Sequence, residues 1–145
     1  MLFRSDGSAM YYVDHGNTES APHLEWLKKR YPNIRTTRFV DNYLDTFKRI
    51  MTTATTDNVW ILSSLCEYDE FDFSWQPGAW EREQIHCFCN NEGQWNETRG
   101  DTFYIPVESF KAQMYDLELL DWFNVISYNT SQKIDRKSTR LNSSH

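Results

Sequence analysis

The sequence predicts an α/β domain with a mostly parallel sheet and flanking helices. Short apolar segments typical of strands alternate with segments whose apolar residues have helical spacing. Turn-forming residues separate these segments. Strand–helix–strand–helix–strand within about sixty residues is a βαβαβ unit. Connections of this kind are right-handed, so we expect the three strands to be parallel neighbours in one sheet.

The first strand is predicted in Ala9–Gly16, where AMYYVDHG is apolar until it reaches a dense turn signal. A helix is predicted in the following stretch, SAPHLEWLKKRY, because Pro22 lies near its start and a basic run lies near its end. The apolar face of this helix is formed by Leu24, Leu27 and Tyr31.

The second strand is predicted in Asn33–Val40, which is rich in β-branched residues. Asp41 is the expected N-cap of a second helix. The apolar face of that helix consists of Leu44, Phe47, Ile50, Met51 and Ala54. The continuous apolar run Asn58–Ser64 predicts a third strand that is buried on both faces.

The second half of the chain has a different character. Ser64–Trp80 is acidic and aromatic and contains a Pro-Gly break, which predicts a long ordered loop. Strands are predicted in Gln84–Cys89 and Asp101–Pro106, on either side of a polar, hairpin-like connection. A short helix in VESFKAQM and a last strand in Trp122–Tyr128 complete the predicted elements.

The two ends of the chain resemble translated sequencing adapter. DRKSTRLNSSH at Asp135–His145 and MLFRS at Met1–Ser5 both back-translate into adapter-like codons. We therefore expect an adapter-like scar at 1–5, a truncated domain fragment at 6–134 and an adapter-like disordered tail at 135–145. The two ends are expected to make few contacts with the domain.

Composition excludes some classes of partner. Without the adapter-like ends the chain has 11 basic and 20 acidic residues, a net charge of −9 compared with −6 for the whole chain. Such an acidic domain repels phosphate backbones, so no nucleic-acid partner is expected. No apolar run is long enough to span a bilayer, so no membrane partner is expected. The odd number of cysteines, three, favours reducing surroundings.

Three candidate ligand-binding positions follow the predicted parallel strands. Asp14 and His15 come after the first strand, Asp41 after the second, and Glu67-Tyr68-Asp69 after the third. Ligands of open α/β sheets bind at this carboxyl edge, and carboxylates gathered there suit divalent cations and phosphates. Each acid also has a purely structural interpretation: Asp14 as a turn residue, Asp41 as a helix cap, and the acidic stretch as a solvated loop.

Two further groups have alternative interpretations. His86, Cys87 and Cys89 suggest zinc, but strand alternation places His86 on the opposite face from both cysteines, and a fourth ligand at motif spacing is missing. Buried, reduced cysteines are therefore the preferred interpretation. Arg99 is a candidate partner of a phosphate or of a loop carboxylate, or a surface residue in a turn.

Two stretches resemble a known family. YYVDHGNTESAPHLEWLKKRYPNIRTTRFVDNYLDTFKRIMTTATTDNVWILSS and GDTFYIPVESF are similar to GT-A-like, glycosyltransferase family 2-like modules of tailed-phage and marine metagenomic proteins. The resemblance implies a GT-A-like (Rossmann-type) fold, a nucleotide-sugar ligand and a cytoplasmic location in a phage-infected bacterial host. It also implies an Asp-x-Asp pair after the third strand that holds Mg²⁺ or Mn²⁺ and the diphosphate. Here, only Glu67 and Asp69 keep that acid-x-acid spacing.

The resemblance implies roles for individual residues. Glu67 and Asp69 would bind the metal ion, and Asp72 or Asp101 would be the catalytic base. The substrate-binding residues would be Asp14, which would contact the nucleoside, together with His15, Asp41, Trp75 and Arg99. The implied activity is transfer of a hexose to a carbohydrate or protein acceptor.

The alternative hypothesis is a non-catalytic, phage-encoded module for assembly or carbohydrate recognition. The loop after the third strand is rich in aromatic residues, and aromatic rings stack well on sugar rings. The residues proposed to do so are Phe71, Phe73, Trp75 and Trp80.

Overall fold

The computed structural model of the protein describes residues 8–68, 71–89, 101–118 and 125–129. These residues form one six-stranded sheet with helices on both faces. The strands are β1 (Ser8–Asp14), β2 (Arg35–Arg38), β3 (Asn58–Ser63), β4 (Ile85–Cys89), β5 (Thr102–Pro106) and β6 (Val125–Asn129). The helices are α1 (Ser20–Arg30), α2 (Tyr43–Met51), α3 (Val107–Gln113) and a 3₁₀ turn at Ala79–Glu81. No helix in the described ranges is long and apolar enough to cross a bilayer.

The predicted βαβαβ unit is confirmed. β1 pairs in parallel with β2 on one side and with β3 on the other. The apolar face of α1 packs on one side of the sheet through Leu27, and that of α2 packs on the other side through Phe47. The first crossover runs from β1 to β2, and the second runs back past β1 to β3. Two crossovers of the same hand that run in opposite directions place their helices on opposite faces of the sheet, as observed here.

The second half of the sheet contains one reversed strand. The strand order is β2-β1-β3-β5-β4-β6, in which β5 is antiparallel to both β3 and β4, while β6 is parallel to β4. Five of the six strands therefore share a direction, and the predicted mostly parallel sheet is confirmed. The last strand, predicted in Trp122–Tyr128, is present at Val125–Asn129, and residues 122–124 lie outside the described residues.

The two sides of the sheet are covered differently. On the side that we call the helical face, α2 and α3 pack on the strands, and Phe47, Phe103 and Phe110 are fully buried between them. On the side that we call the aromatic face, α1 and residues 66–75 cover a cluster centred on Trp60. The Trp60 indole has ring neighbours at centroid distances of 4.8–6.2 Å, namely Phe71, Phe73, Trp75, Phe88 and Tyr104.

The N-cap of α2 is Asn42, so the prediction of Asp41 is wrong. The Asn42 side-chain oxygen accepts a hydrogen bond from the Asp45 backbone N–H at 2.8 Å. Asp41 has a φ of 40°, in a tight turn where the Asn42 N–H donates to the Val40 carbonyl. An N-cap residue has an extended backbone, as Asn42 has here, and positive φ is incompatible with that role.

The predicted adapter-like ends, Met1–Ser5 and Asp135–His145, lie outside the described residues.

Candidate functional site

Ser64 joins the loops that follow β1 and β3 at the carboxyl edge of the sheet. Its hydroxyl oxygen accepts a hydrogen bond from the His15 backbone N–H at 2.8 Å and donates to the Asn17 side-chain oxygen at 2.6 Å. The Asn17 amide nitrogen donates in turn to the Ser64 carbonyl at 2.9 Å. Two of the predicted ligand-binding loops are therefore brought together, and a serine that sequence reasoning did not select holds them.

A pocket of about 240 Å³ lies between α1 and the segment after β3. The chain leaves β1 toward β2 and leaves β3 toward the other half of the sheet, and both connections pass over the aromatic face. In open α/β sheets, ligands bind outside the carboxyl ends of the strands where the strand order reverses, as it does here at β1 and β3. The pocket walls are Pro22, His23, Trp26 and Leu27 from α1, and Cys66, Glu67 and Tyr68 from the segment after β3.

Two polar side chains of this pocket, His23 and Glu67, approach each other. The His23 Nε2 atom lies 3.6 Å from a Glu67 carboxylate oxygen. The Glu67 side chain is 47 % exposed, so this contact contributes little to stability and leaves the carboxylate accessible to solvent and ligands. The His23 Nδ1 atom is buried and has no hydrogen-bond partner among the described residues. The pocket wall therefore contains an unsatisfied polar atom next to a carboxylate.

Tyr68 fixes the start of the segment that covers the aromatic face. Its hydroxyl accepts a hydrogen bond from the Ser63 backbone N–H at 2.8 Å and is 2.6 Å from the Thr102 hydroxyl. Burial raises the pKa of Tyr68 well above its usual value, so this side chain is a neutral structural group. One wall of the pocket is thus anchored to both β3 and β5.

The predicted metal ligands are Glu67 and Asp69, of which Asp69 lies outside the described residues. Glu67 is the acidic residue among those that line the pocket. Mg²⁺ is commonly held by one or two carboxylates together with substrate phosphates and water. One half-exposed carboxylate is therefore the part of the predicted metal site that the described residues contain, and they do not form an all-protein cage for Mg²⁺ or Mn²⁺.

Asp14 and His15 lie at the same edge but do not line this pocket. An Asp14 carboxylate oxygen accepts the Gly16 backbone N–H at 2.7 Å, a turn in which Gly16 has a φ of 82°. Asp14 lines a different cavity, as do the two arginines Arg38 and Arg49. His15 stacks on Phe39 at a centroid distance of 4.5 Å, and burial lowers its pKa.

Asp41 is exposed in its tight turn, and no pocket described above includes it. Asp72 is exposed as well, and its carboxylate accepts two hydrogen bonds from Ser74, which lower the pKa of Asp72. Trp75 is half-buried and packs edge-on against Phe88 at 4.8 Å. The Trp75 ring is therefore part of the cluster on the aromatic face. Arg99 lies outside the described residues.

Asp101 is buried on the helical face, with 2 % of its surface exposed. Its carboxylate accepts a hydrogen bond from the Tyr43 hydroxyl at 3.0 Å. Burial, followed by the nearby charge of Asp101, raises the pKa of Tyr43 well above its usual value. Asp101 also lies close to Cys87 and Cys89. Its position, on the opposite face from Glu67, separates it from the pocket described above.

Sequence reasoning missed His23 and Trp26 as well as Ser64. A signal for the first two was present, because His23, Trp26 and Leu27 have the spacing of one helix face. No comparable signal marks Ser64, whose hydrogen bonds join loops that are 47 residues apart in the chain.

No family model matches this chain, and no curated protein or solved structure matches it either.

Proposed function

We propose that this domain binds a nucleotide-sugar in the pocket between α1 and the segment after β3, as a glycosyltransferase-like module. The observation that carries the proposal is the position of this pocket, at the point where the connections from β1 and β3 diverge. The mostly parallel sheet is compatible with the GT-A-like resemblance of the sequence.

The residues around the pocket supply complementary chemistry. Trp26 and Pro22 offer an apolar wall for a flat base or a sugar ring. Arg30 stacks on Trp26, with its guanidinium carbon 4.3 Å from the ring centroid, which orients the indole. Glu67 would hold Mg²⁺ or Mn²⁺ together with the oxygens of a diphosphate.

The volume of the pocket limits what it encloses. At about 240 Å³ it is smaller than the roughly 300–1,000 Å³ of most small-molecule sites, so it accommodates one part of a nucleotide-sugar. The rest of the ligand would lie along the edge formed by His15 and Ser64, where backbone and hydroxyl groups are already ordered by hydrogen bonds. Such order reduces the entropy cost of binding.

A second candidate, binding without transfer, is favoured by the state of the two proposed bases. Asp72 is engaged in a turn with Ser74, and Asp101 is buried on the other face of the sheet. Of the four aromatic residues proposed to stack on sugars, Phe71 is buried and Trp80 is 97 % exposed. Trp80 is therefore the residue through which a carbohydrate-recognition role would act.

Calorimetric titration with a uridine-diphosphate sugar, with and without Mn²⁺, tests the proposal. We expect the parent to bind only with Mn²⁺ and the Glu67→Ala, Asp69→Ala double variant to bind at least about tenfold more weakly. Glu108→Ala, which removes an exposed acid on α3, is the matched control and should bind like the parent.

Metal-dependent binding that survives the double substitution would exclude Glu67 and Asp69 as ligands. If the folded parent does not bind, the nucleotide-sugar proposal is wrong. Glycan binding that is lost in Trp80→Ala would then support the second candidate.

A further inference from the structure

Three buried side chains with metal-binding atoms converge on the helical face. Cys87 and Cys89 are two residues apart in β4 and therefore point to the same side of the sheet. The antiparallel register pairs Phe88 with Thr102, and its continuation places Asp101 opposite Cys89. One potential ligand atom from each of the three residues lies within 4.8 Å of the other two.

We propose that Cys87, Cys89 and Asp101 bind a transition-metal ion, Zn²⁺. Two thiolates and a carboxylate are ligands that Zn²⁺ accepts, whereas Mg²⁺ and Mn²⁺ prefer oxygen ligands alone. In a tetrahedral zinc site the sulfur atoms are about 3.8 Å apart, as follows from Zn–S bonds of about 2.3 Å. Because the present separations do not exceed 4.8 Å, the ligand atoms would have to approach one another by no more than about 1 Å when the ion binds.

Binding of the ion changes the protonation of this site. Burial raises the pKa of the Cys87 thiol well above its usual value, so Cys87 is expected to be a thiol in the metal-free protein. An ordinary cysteine, with a pKa of about 8.5, is also mainly a thiol at pH 7. Zn²⁺ ligation would displace one proton from each thiol into solvent, two protons per ion. Two thiolates, one carboxylate and Zn²⁺ sum to a single negative charge.

The Tyr43 hydroxyl is placed to support the ligand set. It donates to the Asp101 carboxylate at 3.0 Å, which fixes the carboxylate and offsets part of its charge. Three protein ligands leave the fourth coordination position to a further ligand, of which water is the simplest. The role of Tyr43 is to position Asp101, and the neutral phenol does not ligate the ion itself.

This site is independent of the proposed nucleotide-sugar site. It lies on the helical face, whereas Glu67 lines the pocket on the aromatic face. The third cysteine, Cys66, is buried on the aromatic face as well. Cys66 therefore provides a matched control, because its thiol is buried but lies on the opposite side of the sheet.

Refolding of the reduced, metal-free protein with one equivalent of Co²⁺ tests the proposal by absorption spectroscopy. We expect a thiolate-to-cobalt charge-transfer band and the intense visible bands of a tetrahedral site, both of which Zn²⁺ abolishes by competition. Cys87→Ser and Cys89→Ser should each weaken Co²⁺ binding at least about tenfold. Cys66→Ser should bind like the parent, and Asp101→Asn should bind more weakly but keep the charge-transfer band.

The proposal is overturned if the refolded parent shows no charge-transfer band, or if Cys87→Ser and Cys89→Ser bind Co²⁺ as the parent does. If a serine variant does not fold, proton release by the parent protein is the measurement that tests the proposed ligands. Addition of Zn²⁺ to unbuffered parent protein should release about two protons per ion, and release of none contradicts the proposed ligands.

Discussion

The two faces of the sheet are covered by different kinds of structure. The helical face is closed by α2 and α3, whose apolar residues interlock with the strands around Phe47 and Phe103. The aromatic face is closed by α1 and by an irregular segment whose rings pack on Trp60. The candidate pocket lies on the aromatic face, between its one helix and the irregular segment.

Substitution of Trp60 should have the largest effect and tests whether the aromatic face depends on one residue. Trp60 is 2 % exposed and is in ring contact with five side chains. We expect Trp60→Ala to lower the free energy of unfolding by about 3–5 kcal/mol, from lost burial and the cavity that remains. Urea denaturation followed by circular dichroism measures this change.

The control for Trp60→Ala removes the same side chain from an exposed position. Trp80 is 97 % exposed, so Trp80→Ala should change the free energy of unfolding by less than about 0.5 kcal/mol. Similar losses for the two variants would show that the aromatic face is not organised around Trp60.

Removal of one hydroxyl from each face sharpens the comparison. Tyr68→Phe leaves the buried Ser63 N–H and the Thr102 hydroxyl without this partner, and should lower the free energy of unfolding by about 1–3 kcal/mol. Tyr43→Phe removes the donor to the Asp101 carboxylate and should cost a similar amount. Denaturation of both variants at pH 7 checks the two values. A loss below about 0.5 kcal/mol for Tyr68→Phe would contradict its role as an anchor.

The pH dependence of stability near neutral pH should arise largely from His15, which stacks on Phe39, and from His86 on the aromatic face. His86 is fully buried there, and its Nδ1 and Nε2 atoms lie 2.9 Å from the Tyr128 hydroxyl and 2.7 Å from the Glu81 carbonyl. The carbonyl requires Nε2 to donate, so a neutral ring accepts at Nδ1. Burial lowers the pKa of His86 below its usual 6.5, and burial has the same effect on His15.

The sign of the pH effect follows from these lowered pKa values. In the unfolded state each histidine binds a proton as the pH falls through about 6.5, before the native state does. Stability should therefore be complete above pH 6.5 and should decrease as the pH falls from 6.5 toward the native pKa, by at most about 1.4 kcal/mol per pH unit for each histidine. Denaturation between pH 7.5 and 5.5 measures the slope.

His86→Gln should reduce the slope of the unfolding free energy against pH. His15→Gln should reduce that slope less, because His15 is only half-buried. An unchanged slope in His86→Gln would mean that His86 titrates alike in the native and unfolded states.

The smallest expected effect concerns the cap of α2, on the helical face. Asn42→Ala removes the side-chain acceptor of the Asp45 N–H and should lower the free energy of unfolding by about 1 kcal/mol. Asp41→Gly should change it by less than about 0.5 kcal/mol, because glycine adopts a φ of 40° readily. Thermal denaturation distinguishes the two variants. A larger loss of stability in Asp41→Gly than in Asn42→Ala would identify Asp41 as the cap.

The sequence is informative where structure depends on nearby residues. Apolar runs and helical spacing predicted β1 to β3 and both helices between them, because each pattern spans one element. The direction of β5 was not predictable in the same way. Its five residues are all buried, as are those of β4, and a buried strand has the same pattern in either direction.

The site was less predictable because it depends on contacts between distant residues. Glu67 was predicted from its place after β3, but its neighbour His23 comes from α1. The approach of Asp101 to Cys89 results from the register of two antiparallel strands. Asp41 and Asn42 are both good capping residues, and only the positive φ of Asp41 decides between them.

The reversed strand β5 has a consequence for the order in which the chain is assembled. β5 lies between β3 and β4 and is the hydrogen-bonded link between the two halves of the sheet. During synthesis β4 therefore emerges before Thr102–Pro106, the strand that attaches it to the sheet. Until then β4 is an unpaired apolar strand, and unpaired strands of this kind tend to aggregate. The sheet of the N-terminal βαβαβ unit can be extended only after the chain has been synthesised as far as Pro106.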